Sequence, residues 1–234
     1  MGNIVTDQVE QFIRGLVPER TGLLQEIEAE ARAAGIPIVL PEVGQLLLCL
    51  ASSARSASST RSADSASLQG ARVLELGTAT GYSAIWLARG LGPHGTLTTI
   101  ELDPNRAEQA RNNFKRWFGE TVGTITLLEG DALAILPTLE NPFDLIFIDA
   151  AKGQYPDFLQ QVERLLVPGG VLVADNVLFR GMVDKQQEQI EKRYRTLVRR
   201  LRQFLELLLK HPDWDTTILP LGDGVSLSYK RNWD

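Results

Sequence analysis

The regular alternation between Ala71 and Lys230 constrains this chain more than any other feature. Short runs of near-continuous Val, Leu and Ile (ARVLEL, GTLTTIEL, TITLLEG, FDLIFID, GGVLVADN) alternate with the amphipathic segments YSAIWLARGL, PNRAEQARNNFKRWF, ALAILPTL and YPDFLQQVERLL. Runs with no polar face suit strands buried on both sides, and parallel neighbours need a crossover long enough to hold a helix. The pattern therefore predicts an α/β fold, with a mostly parallel sheet and helices on both faces. A long helix is expected from Asp184 to Lys210. After it, TTILPL and GVSLSYK around Gly222-Asp223-Gly224 read as a hairpin that brings the strand count to seven.

The N-terminal part has no such alternation. VEQFIRGLV, then TGLLQEIEAEARAAG with Gly35 as a stop, then PEVGQLLLCLASS opening on Pro41, predict a helical preface over residues 1–52. Ser52 to Ser67 (SSARSASSTRSADSAS) is nearly free of large apolar side chains, so residues 53–70 are expected to form a flexible loop. Residues 71–234 form the core, and 234 residues suit a single domain.

Composition closes off several function classes. No segment approaches the roughly 18 uncharged apolar residues of a membrane span, and MGNIVTDQVEQF has acids instead of a basic leader, so a cytoplasmic protein is expected. The single cysteine, Cys49, lies in LLLCLA and is expected in the core, which leaves no disulfide or thiolate–metal chemistry. A net charge of -5 argues against indiscriminate nucleic-acid binding but leaves room for a local basic face.

GTATGYS follows a strand and opens a helix, so its backbone N–H groups can face a ligand while Gly77 and Gly81 allow close approach. Glu101 ends the second strand about twenty residues beyond Gly81, where an acid can accept hydrogen bonds from both ribose hydroxyls of an adenosine group. Asp131 ends the third strand in EGDA. Each acid alone also fits a helix N-cap. Asp149 (FIDAAKGQY) and Asp175 with Asn176 (VLVADNVLF) end the next two strands, which are expected to be neighbours. That set offers three oxygen ligands with no sulfur or imidazole, which suits Mg²⁺ or, in its place, Mn²⁺ or Ca²⁺. Capping of the following helices is the alternative, although like charges side by side repel without a cation. Lys152, three residues after Asp149, is expected to lose its proton more readily near such an ion and to act as a base; a surface lysine is the alternative.

The residues at the carboxyl ends of successive strands, Gly77, Gly81, Glu101 and Asp131, together resemble the class I S-adenosylmethionine-dependent methyltransferases. VLELGTATGYSA, TIELD, EGDAL, FIDAAKGQY and ADNVLF are similar, more narrowly, to the metal-dependent O-methyltransferases related to catechol and caffeoyl-CoA methyltransferases. The resemblance implies a Rossmann-like fold, with S-adenosylmethionine and Mg²⁺ as cofactors. It also implies that Asp149, Asp175 and Asn176 bind the metal, that Lys152 is the catalytic base, and that Val39, Gly77, Ser83, Glu101, Asp131 and Asp149 line the cofactor site. A homodimer is expected on the same ground.

Within that family GIPIV, DAAKGQY, DNVLFRGMV and HPDWDTTILPLGDGVSLSYKR resemble the bacterial tRNA 5-hydroxyuridine methyltransferases, which form 5-methoxyuridine at the wobble position. The 5-hydroxyl and 4-carbonyl of that base form a vicinal oxygen pair like that of a catechol. KRYRTLVRRLRQ places Arg195, Arg199 and Arg202 at i, i+4, i+7 on the expected long helix, a spacing that could meet tRNA phosphates or simply face water. Tyr155 and Phe179 are candidates for stacking on the base. The resemblance thus implies tRNA as the partner, with a catechol-like small molecule as the alternative acceptor.

Overall fold

The computed structural model describes residues 5–20, 22–61, 70–119 and 125–232. Three helices precede the sheet: α1 (Asp7–Leu16), α2 (Gly22–Ala33) and α3 (Pro41–Arg61). Thr6 caps α1 by accepting from the Val9 N–H, and Pro41 opens α3, where its missing donor costs nothing. From Arg72 onward the elements are β1 (Arg72–Leu76), α4 (Tyr82–Leu91), β2 (Thr96–Glu101), α5 (Pro104–Phe118), β3 (Ile125–Glu129) and the short α6 (Ala132–Ile135). Next come β4 (Phe143–Ile148), α7 (Tyr155–Leu165), β5 (Leu166–Ala174), α8 (Arg195–Lys210), β6 (Trp214–Leu219) and β7 (Val225–Lys230).

The seven strands form one sheet in the order β3-β2-β1-β4-β5-β7-β6. The first five are parallel, while β7 runs antiparallel to β5 and β6 to β7, so the expected hairpin is present. The chain order reverses between β1 and β4, which makes the carboxyl ends of those strands the natural crevice for a ligand. Strand alternation divides the core into two layers. Val73, Leu145, Phe147 and Val173 pack with α3 and α4 on one face, and Leu74, Leu76, Ile146, Ile148 and Leu172 pack with α7 and α8 on the other.

Helix α4 is buried on nearly every side because it is wedged between the sheet and α3. The crossing is close enough to require glycine: a Cβ at Gly44 would lie 2.6 Å from Trp86 Nε1, and one at Gly90 would lie 2.5 Å from the Leu48 carbonyl oxygen. Among the described residues, no helix is long and apolar enough to cross a membrane.

Three expectations are corrected here. The serine-rich segment is helical as far as Arg61, because Leu47 and Ala51 dock fully buried against the neighbouring helix, the Ser52 hydroxyl reaches the Gly90 carbonyl, and alanine sustains the helix beyond. Its remainder, residues 62–69, lies outside the described residues. Cys49 is exposed: at about 100° per residue, a position two away from Leu47 and Ala51 points to the opposite side of α3. Helix α8 begins at Arg195, not Asp184, since residues 187–189 and 192–194 form single 3₁₀ turns. Ile190 is buried between those turns, and its carbonyl and that of Val183 accept from the Arg195 and Arg202 side chains of α8.

Candidate active site

A cleft of about 580 Å³ opens at the carboxyl edge of the sheet. At one end Gly77 (φ +100°) turns the chain out of β1, where a Cβ would lie 2.3 Å from the Asp149 carbonyl oxygen. Gly81 (φ +84°) opens α4 directly over Phe114. Both positions need glycine. Glu101, at the end of β2, is 6 % exposed and accepts from the Ala79 N–H (2.8 Å) and the Asp103 N–H (2.9 Å). One backbone donor on each carboxylate oxygen fixes its orientation and leaves further lone pairs available. Asp131 lines the cleft and also caps α6 by accepting from the Leu133 N–H, so the ligand-facing and capping readings of this acid coexist. Val39, Ser83 and Asp149 line the same cleft, as do residues 37–40 leading into α3.

At the other end the structure brings together Asp149, Lys152, Asp175 and Asn176, together with Asp223 from the β6–β7 turn. Lys152 Nζ stands 3.6 Å from Asp149 Oδ1. Burial raises the Asp149 carboxyl to about 6, opposed by the Lys152 charge. Burial, and then the neighbouring Asp149, raise Asp175 to about 8, opposed by the Asn176 N–H that donates to Asp175 Oδ1 at 2.7 Å. Two such acids ionise together only when positive charge is supplied between them. Asn176 adopts φ +55°, an αL conformation that asparagine tolerates better than most residues.

Sequence reasoning did not assign Glu75 or Asp223. Glu75, fully buried on β1, accepts from Thr99 Oγ1 at 2.6 Å, and Thr99 Oγ1 is 2.5 Å from Thr78 Oγ1 beneath the glycine turn. Burial raises its carboxyl to about 7 against the Ser83 and Thr99 hydroxyls. A lone acid inside the apolar run VLEL was the available signal. Asp223 holds the neighbouring loop by accepting from the Arg180 N–H, and its flanking glycines were read only as a turn.

The stacking candidates part company. Tyr155 is fully buried and donates to the Ile148 (3.3 Å) and Asp175 (3.1 Å) carbonyls, clamping the ends of β4 and β5, so the stacking reading of Tyr155 is corrected. Phe179 is half-buried, edge-on to Tyr194. Of the arginine trio, Arg195 Nε donates to the Ile190 carbonyl (3.0 Å) and Arg202 Nε to the Val183 carbonyl (2.9 Å), which leaves Arg199 as the exposed member.

The sequence pattern described as "O-methyltransferase" matches residues 66–231. The chain belongs to the O-methyltransferase family. Two relatives are named catechol O-methyltransferase. The one from Niastella koreensis is 34% identical over 97% of this chain and 99% of its own length. The one from Mycobacterium tuberculosis is 38% identical over 71% of this chain and 70% of its own. Among solved structures, the O-methyltransferase TomG of Streptomyces achromogenes, in complex with S-adenosylmethionine, superposes with a TM-score of 0.78 at 30% identity, covering 96% of both chains.

Proposed function

We propose that this chain transfers the methyl group of S-adenosylmethionine to one of two vicinal oxygens of a small catechol-like acceptor. The meeting of Asp149, Lys152, Asp175 and Asn176 at one end of a cleft whose other end is formed by Gly77, Ser83, Glu101 and Asp131 carries this reading. The catechol O-methyltransferase relatives support the acceptor class, and the S-adenosylmethionine bound by TomG supports the donor. Glu101 would accept from the ribose hydroxyls of the donor, and Val39 and Asp131, which line the same cleft, would complete its site.

Asp149, Asp175 and Asn176 would hold a divalent cation. Their all-oxygen set and the raised carboxyls of the two acids fit Mg²⁺. A cation held there would supply Lewis acidity, orienting the two acceptor oxygens and making the hydroxyl more acidic. Lys152 receives the hydroxyl proton at Nζ, held beside Asp149. The acceptor oxygen then forms its bond to the methyl carbon as the carbon–sulfur bond breaks, leaving S-adenosylhomocysteine; alignment of the two ends of the cleft supplies most of the acceleration.

The wobble-uridine reading keeps the exposed Lys192 and Arg199 in its favour, but Arg195 and Arg202 are committed to the chain's own carbonyls. The discriminating assay is labelled methyl transfer in Mg²⁺ to catechol, to phenol and to tRNA bearing 5-hydroxyuridine. Catechol is expected to exceed phenol by at least about a hundredfold, the scale of losing one positioning contact, and to match or exceed the tRNA. Labelling of tRNA well above catechol would transfer the assignment to RNA, and equal rates for phenol and catechol would end the vicinal-oxygen reading. A homodimer belongs to the same proposal, with Val9, Phe12 and Leu16 offering an exposed apolar face on α1.

A further inference from the structure

A second cavity, of about 310 Å³, lies between α2 and α5, behind the glycine turn that follows β1. On the α5 side it is lined by Gln109, Asn112, Asn113 and Arg116, at i, i+3, i+4 and i+7, so one helix face presents three carboxamides in a row. On the α2 side it is lined by Ile27 and Ala31, with the exposed Glu30 beside them and Ala34 and Ile36 just beyond the helix. Two helix stripes that face each other at this spacing ordinarily interdigitate apolar side chains. Here an amide-bearing stripe faces a stripe that is apolar except for Glu30.

Three further observations bear on what fits there. The two charged residues of the lining, Arg116 and Glu30, pair with each other (3.4 Å), and Glu26, which also pairs with Arg116 (2.5 Å), lies outside the lining, so the lining itself carries no net charge. Thr80, which lines the cavity, is 5 % exposed, and its hydroxyl oxygen has no hydrogen-bond partner among the described residues. Asn113 donates to the Thr80 carbonyl at 2.9 Å and accepts from Arg116 Nη1 at 2.9 Å, which ties the amide wall to the Gly77–Gly81 turn and makes Gln109 and Asn112 the amides that face a ligand. A slot with one apolar wall and one wall that both donates and accepts selects a flat, uncharged molecule bearing a carboxamide or lactam.

We propose that the α2–α5 slot is a binding site for a small neutral aromatic amide, coupled to the cofactor end of the active cleft. The coupling rests on the methyltransferase reading above; the binding does not. One hydrogen bond and one continuous piece of chain carry it. Asn113 holds the turn through the Thr80 carbonyl, and Ile36 on the slot wall is followed directly by Pro37 to Leu40, which line the cleft. An occupant that fixes both walls also fixes the cover and the floor of the cofactor site, so it should tighten cofactor binding.

The test uses benzamide, with benzoate and benzamidine as charged analogues of equal size, on the full chain saturated with S-adenosylhomocysteine so that the main cleft is occupied. Ligand-observed NMR should show saturable benzamide binding with a Kd on the order of 1 mM, weaker binding of both ions, and loss of binding in Gln109→Leu and Asn112→Leu at unchanged melting temperature. Titration of S-adenosylhomocysteine in saturating benzamide should show roughly fivefold tighter binding. No saturable benzamide binding below about 20 mM, or binding unaffected by either substitution, overturns the site. Tighter binding of benzoate or benzamidine overturns the ligand class, and benzamide binding without a change in cofactor affinity overturns the coupling. Failure of S-adenosylhomocysteine itself to bind would instead count against the methyltransferase reading of the main cleft.

Discussion

Replacement of Glu75 by Gln removes a buried titratable group with almost no change of shape. Glu75 sits at 0% exposure in the strand that feeds the glycine turn, with its carboxyl raised from the ordinary 4.5 to about 7. A carboxyl raised in the folded state binds its proton more tightly there than in the unfolded chain. Its contribution is therefore most favourable below pH 4.5, is lost as the pH rises from about 4.5 to about 7, and is constant above. At about 1.4 kcal/mol per pH unit, ionisation of Glu75 costs the fold about 3 kcal/mol at pH 8 and about 1 kcal/mol at pH 5. Gln keeps an acceptor for Thr99 and carries no charge at either pH. The stability of Glu75→Gln relative to the parent should therefore improve by about 2 kcal/mol between pH 5 and pH 8, measured by urea denaturation at both pH values. Titrating groups distant from Glu75 cancel in the comparison, and burial, not the charges of Asp149 and Glu101, is the largest cause of its shift. A difference between the two chains that is the same at pH 5 and pH 8 would show that Glu75 does not titrate in this range, and the argument from its burial would fail.

Other perturbations reach different parts of the account. Asp175→Ala should lower methyl transfer at least about a hundredfold and abolish its response to added Mg²⁺, as read by labelled product against metal concentration. Gly81→Ala forces a side chain into a φ +84° turn against Phe114, so calorimetric titration should show S-adenosylhomocysteine binding weakened by more than about tenfold. Arg202→Ala frees the Val183 carbonyl, and hydrogen exchange across residues 183–190 should speed up by roughly tenfold while β1 and β4 stay protected. Phe12→Glu on the exposed face of α1 should shift a dimer to monomer in light scattering without altering the thermal melt.

The parallel sheet was legible because β1, β4 and β5 are buried on both faces and so lack any polar alternation. The cleft was legible for a related reason: in such a sheet every strand delivers its carboxyl end to the same edge, and Glu101 ends β2 while Asp131, Asp149 and Asp175 follow within two residues of the ends of β3, β4 and β5. The segment before α8 was not. KRYRTLVRRLRQ has helical periodicity from Lys192, but Ile190 turns inward to be buried, and two of the three arginines that looked like a phosphate-facing stripe, Arg195 and Arg202, donate to the Ile190 and Val183 carbonyls instead. Local pattern shows which residues share a face; it does not show whether a donor on that face finds its acceptor within the chain. The serine-rich stretch failed for the opposite reason, since its weak local signal is overridden by docking of α3 on α4. Asp223 reaches the cleft only because the β6–β7 turn folds back over the end of β5, a contact set by strand order rather than by spacing.

Labelled methyl transfer from S-adenosylmethionine to catechol, run in Mg²⁺, then in chelator, then with Mg²⁺ restored, tests the central claim most directly. The expected result is transfer that disappears in chelator and returns with the metal, and that in Asp175→Ala stays at the same low rate in all three conditions. Transfer at an equal rate in chelator and in Mg²⁺ would contradict it, and would leave Asp149, Asp175 and Asn176 without the role assigned to them.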